Sequence, residues 1–102
     1  MIIAVDFDGT LCKDAYPLIG TPNKTLIDLL KNRKQRYNDS LILWTCRTGE
    51  HLKEALHWCE IFELHFDAVN ENLPHIQREW GGDTRKVYAD IYIDDKNRLV
   101  PW

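Results

Sequence analysis

The sequence predicts an α/β protein: a minimal Rossmann-like domain with a small parallel sheet, helices on both faces and no cap domain. Short apolar runs alternate along the chain with segments of helical periodicity. Those runs are continuous rather than alternating in polarity, as expected of strands covered on both faces. Most of them also end in polar groups, which a parallel sheet would gather at one edge, where open α/β sheets bind their ligands.

The first strand is Ile2-Ile3-Ala4-Val5, followed directly by Asp6-Phe7-Asp8-Gly9-Thr10-Leu11. The stretch 12–20 reads as a short connection. A helix follows, with Thr21 as its cap, Pro22 at its first position and Leu26, Ile27, Leu29 and Leu30 as its apolar stripe. Lys31, Arg33, Lys34 and Arg36 near its end read as a solvated face that complements the helix dipole. After the turn Asn38-Asp39-Ser40 comes a second strand, Leu41-Ile42-Leu43-Trp44, leaving through Thr45-Cys46-Arg47-Thr48-Gly49. Leu52, Ala55, Leu56, Cys59 and Phe62 mark a second helix. Phe66-Asp67-Ala68-Val69 is a weak third strand, and Pro74 opens a short helix that Gly81-Gly82 ends. The β-branched and aromatic residues of 87–93 predict a fourth strand ending at Asp94-Asp95.

The 102 residues suit one domain, 1–102, with a single core. A 44% apolar and 28% charged composition is ordinary for a soluble globular protein, and a net charge of −3 gives no general pull toward nucleic acid or anionic membrane. A local basic pocket would still suffice for a nucleic-acid substrate, the one way in which nucleic acid enters this reading. The N-terminal apolar run is too short for a signal peptide or a membrane span. Three cysteines, an odd number without a Cys-x-x-Cys pair, suggest reduced thiols and a cytoplasmic setting. The four histidines have no zinc-ligand spacing with them.

Chemistry concentrates where the strands end. Asp6 and Asp8 close the first, Thr45 and Arg47 follow the second, and Asp94 and Asp95 close the fourth. Asp-x-Asp alone is common in turns, and Asp94-Asp95 alone can cap a loop, but their order after successive apolar strands points to one site. Two carboxylates about 4 Å apart repel by roughly 4 kcal/mol at an effective dielectric of 20. Four of them therefore call for a cation, and Mg2+ suits carboxylate oxygens shared with water and phosphate.

Asp6-Phe7-Asp8-Gly9-Thr10-Leu11 resembles the first motif of the haloacid dehalogenase superfamily. Thr45 resembles the second, and Ile93-Asp94-Asp95 the acidic fourth. The likeness spans nearly the whole chain and is that of a small capless phosphatase. It implies that Asp6 attacks phosphorus to form an aspartyl-phosphate, that Asp8 serves as acid and then base, and that Thr45 binds a phosphoryl oxygen. It further implies magnesium held by the Asp6 carboxylate, the Asp8 carbonyl and Asp94, with Asp95 direct or through water. The third motif, a phosphate-neutralising Lys or Arg, is not cleanly matched. Lys86 precedes the acidic strand, but eight extended residues span roughly 26 Å, which places it at the wrong end of a straight strand. Arg47 lies at the right edge and is the expected phosphate contact; Asp90 reads as structural. Thr45-Cys46-Arg47, Gly82-Asp83-Thr84-Arg85-Lys86 and Ile93-Asp94-Asp95-Lys96 also resemble, locally, the phosphatase part of phage-type polynucleotide kinase/phosphatases, which raises a nucleotide or a 3′-phosphorylated nucleic-acid end as substrate. Tyr16, Trp44, Asn70, Asn72 and Trp102 are candidates either to stack a base or simply to pack.

The expected activity is thus a magnesium-dependent phosphomonoesterase. The alternative is a catalytically silent domain that binds phosphate and metal. A phospho-receiver domain fits poorly, because Asn70 stands where it would want its aspartate. Without a cap the site would be open, so a large substrate or a second subunit of a homo-oligomer would have to cover it.

Overall fold

A computed structural model describes residues 1–97. Among them a four-stranded, all-parallel sheet is formed by β1 (Ile2–Val5), β4 (Ser40–Leu43), β5 (Ala68–Val69) and β6 (Ile91–Ile93), in the order β5-β4-β1-β6. β1 is central, in register with β4 (Ile3 opposite Leu41, Val5 opposite Leu43) and with β6 (Ala4 opposite Tyr92, Val5 opposite Ile93). Alternate side chains leave opposite faces of a strand. Ile3, Val5, Leu41 and Leu43 accordingly enter one core, while Ala4 and Ile42 enter another.

Helices cover both faces. α1 (Lys24–Tyr37) brings Ile27 and Leu30 to the first core, and α2 (Gly49–Ile61) brings Ala55 and Cys59. α3 (Pro74–Trp80) brings Ile76 to the second. Burial pushes the Cys59 thiol up to about 12, so Cys59 is an inert packing group. The basic end of α1 is not merely solvated: the Lys34 ammonium donates to the His65 carbonyl at 2.8 Å and to Asp67 at 3.2 Å, and Arg33 Nε donates to Asp39 at 2.6 Å.

Three local expectations are corrected. The stretch after the first motif is an antiparallel hairpin, β2 (Cys12–Ala15) and β3 (Leu18–Pro22), not a plain connection. Its strands are exposed at most positions and mix polar with apolar residues without alternation, so no apolar periodicity marks them. Thr21 and Pro22 belong to β3, and Asn23 caps α1, its side chain accepting from the Leu26 N–H at 3.2 Å. The last strand is the three residues of β6 rather than 87–93. Tyr88 N–H donates instead to Asn72 Oδ1 at 2.6 Å, which draws that stretch toward the α3 side and away from the sheet. Asp90 is structural as expected, accepting from the Ile2 N–H at 2.7 Å. No helix among the described residues is long and apolar enough to cross a membrane.

Candidate active site

The carboxyl ends of β1, β4 and β6 open into a cavity of about 500 Å³ that holds Asp6, Asp8, Thr45, Asp94 and Asp95. Phe7 explains how the first motif is aimed. Its ring is fully buried in the first core, edge-on to Trp58 at 5.4 Å between centroids. With residue 7 pinned inward, residues 6 and 8 are free to face the cavity. The turn closes through Thr10 N–H and Leu11 N–H, both donating to the Phe7 carbonyl at 3.1 and 2.9 Å.

Asp6, Asp94 and Asp95 each present a carboxylate oxygen, all within 4.8 Å of one another. Burial is the main reason the Asp6 carboxyl is pushed up to about 6, and the charges of Asp94, Asp95 and Asp8 add to it. An all-oxygen donor set of this spacing fits a hard divalent cation such as Mg2+. Gly9 is part of the fit. Its φ is +81°, and a Cβ there would lie 2.7 Å from Asp95 Oδ2. Gly9→Ala is therefore expected to cost about 1–3 kcal/mol and to displace Asp95. A thermal melt with and without magnesium reads both effects; an unchanged melt and an unchanged magnesium shift would refute them.

Thr45 is held from two sides. Its N–H donates to Asn70 Oδ1 at 2.8 Å, and its hydroxyl oxygen accepts from the Arg47 N–H at 3.1 Å. The hydroxyl proton is left to point at a ligand. Asn70 itself sits at φ 54°, a left-handed conformation that asparagine tolerates better than most residues.

Arg47 is the main correction within the site. Its side chain is 1% exposed and does not face the cavity. Nε and Nη2 donate to the two oxygens of Asp8, each at 2.8 Å. The remaining donors reach the His51 carbonyl at 3.2 Å and the Leu18 carbonyl at 3.0 Å. The guanidinium also lies 5.1 Å from the ring centroids of both Phe7 and Tyr16. It is thus the clamp on Asp8 rather than the expected phosphate contact, and it ties the hairpin to the first motif.

The other candidates separate cleanly. Lys86 stands over the Tyr92 ring, 5.6 Å from its centroid, in a different recess with Trp80 and Tyr88. Of the base-stacking candidates, Trp44 and Asn70 line the cavity, Tyr16 packs on His51 and Arg47, and Asn72 is buried against Asp83, Thr84 and Tyr88. Trp102 lies outside the described residues. Three lining residues carry no role in the sequence reading: Asp14 on the unforeseen hairpin, Cys46 beside Thr45, and Lys96. Only Lys96 had a legible signal, its position directly after the acidic pair.

The chain is similar to a conserved protein of Bacteroides thetaiotaomicron whose structure is solved. The two are 44% identical with a TM-score of 0.84, over 95% of this chain and 77% of that one. They belong to one family. The Bacteroides relative shares the α/β architecture, and its description names no activity. No family model and no curated protein matches the chain.

Proposed function

We propose that the chain is a magnesium-dependent phosphomonoester hydrolase of the haloacid dehalogenase type, working through an aspartyl-phosphate on Asp6. The observation that carries this reading is the meeting of Asp6 with Asp94 and Asp95 in one cavity beside the Thr45 hydroxyl. Asp6, Asp94 and Asp95 would hold the magnesium, which when bound neutralises charge on the phosphoryl group.

The protein's own groups account for the rest. Asp6 is ionised above about pH 6 and serves as nucleophile at neutral pH. Its oxygen bonds to phosphorus as the bond to the leaving oxygen breaks, and Thr45 donates to a phosphoryl oxygen. Water then displaces phosphate from Asp6, and Asp8 takes the proton that water loses. Both Asp8 oxygens accept from Arg47, which suits this basic half. To protonate the leaving oxygen in the first half, Asp8 must exchange one of those hydrogen bonds for an O–H. The cavity is open and holds Trp44 at its wall, consistent with a phosphorylated nucleotide or a 3′-phosphorylated nucleic-acid end.

The test is phosphate release from an aryl phosphate, with and without magnesium, by wild type and Asp6→Asn. Magnesium-dependent release lost in the variant supports the hydrolase. Magnesium and phosphate binding without release would favour the silent binding domain instead.

A further inference from the structure

We infer that Lys96 is the cation that receives the anionic phosphoryl group, an assignment that rests on the phosphoryl reading of the site. Charge balance in the cavity calls for such a cation. Five carboxylates line the cavity, from Asp6, Asp8, Asp14, Asp94 and Asp95, and a phosphate monoester brings up to two further negative charges. Arg47 neutralises Asp8 but is buried, and its donors end on Asp8 and two backbone carbonyls. Lys86 belongs to the recess beside Tyr92. Among the described residues that line the cavity, Lys96 alone carries a positive side chain.

Its position is fixed by the backbone. Lys96 N–H donates to Asp94 Oδ1 at 2.7 Å, and Asn97 N–H donates to the Asp94 carbonyl at 3.2 Å. Asn97 Nδ2 reaches back to the Tyr92 carbonyl at 3.0 Å, which folds the turn onto the end of β6. From this turn the ammonium comes within 3.7 Å of Asp95 Oδ2, at the rim of the acidic cluster. The side chain is 78% exposed and is not used for packing, so it can leave Asp95 for an incoming anion at little cost to the fold.

Binding of inorganic phosphate, measured by calorimetry in magnesium buffer, tests the assignment without needing turnover. Lys96→Met is expected to weaken phosphate binding about tenfold or more, through loss of a charge-assisted contact. Lys96→Arg should bind within about threefold of wild type, because charge is the requirement. Lys86→Met should bind as wild type does. Melting curves control for folding, and an exposed substitution should leave them nearly unchanged. Wild-type binding that Lys96→Met leaves intact overturns the assignment and leaves the phosphoryl reading standing. A wild type that neither binds phosphate nor releases it from an aryl phosphate overturns both.

Discussion

Arg47→Met will destabilise the fold by about 3 kcal/mol, the low end of the range for removing one partner of a buried ion pair. The low end applies because Asp8 keeps 20% of its side chain in contact with solvent while Arg47 keeps 1%. For a chain of this size that loss corresponds to roughly 12–24 °C in melting temperature. Methionine fills much of the volume between Phe7 and Tyr16, so the loss is mainly that of four donated hydrogen bonds and of compensation for the Asp8 charge. Arg47→Lys will not restore stability, because one ammonium cannot match two parallel N–H···O bonds and two carbonyls together. Adding Asp8→Asn to Arg47→Met should recover part of the loss, since it removes the uncompensated carboxylate. Turnover should fall about 100-fold in Arg47→Met, because a freed Asp8 no longer stands at a fixed distance from the reacting oxygen. A melt within two or three degrees of wild type would show that Arg47 is not the clamp that its geometry describes.

The same residue shows where sequence reasoning stops. Thr45 and Arg47 stand two positions apart after an apolar strand, yet Thr45 lines the cavity while Arg47 turns away from it onto Asp8. Which way Arg47 turns depends on Phe7, Tyr16 and the Leu18 carbonyl, and the last two come from a hairpin whose exposed strands carry no apolar period. The parallel sheet, its helices on both faces and the convergence of Asp6, Asp94 and Asp95 were legible, because continuous apolar runs and strand-end carboxylates are local signals. The start of the last strand was not. Val87 and Tyr88 have strand-like composition, but Asn72, sixteen residues before Tyr88, claims the backbone there through a buried side chain. That also undoes the geometric argument about Lys86. The segment before β6 is not one straight strand, and Lys86 is nonetheless outside the cavity for a different reason, its place beside Tyr92.

Asp6→Asn should lose activity and gain stability at once, and the pairing of those signs is what marks a carboxylate kept for chemistry. Turnover should drop at least about 1,000-fold, because an amide cannot replace the attacking oxygen. The stability change follows from the proton balance. Folding raises the Asp6 carboxyl from 3.8 to about 6, mainly by burial, so the folded chain holds its proton at pH values where the unfolded chain has released it. The stabilising contribution is complete below about pH 4 and is lost as pH rises through about 6. Above pH 7 the metal-free protein therefore carries a penalty that, reduced by solvent screening at this half-buried site, is about 1–2 kcal/mol and that a neutral asparagine lacks. In magnesium-free buffer at pH 8, Asp6→Asn should melt several degrees above wild type, and at pH 4 the two should coincide. Adding magnesium at pH 8 should close most of the gap, since a bound cation stabilises the ionised aspartate by mass action. If the variant melts below wild type at pH 8 without magnesium, the crowding of Asp6 by burial and by Asp94 and Asp95 is not the energetic fact that the geometry implies.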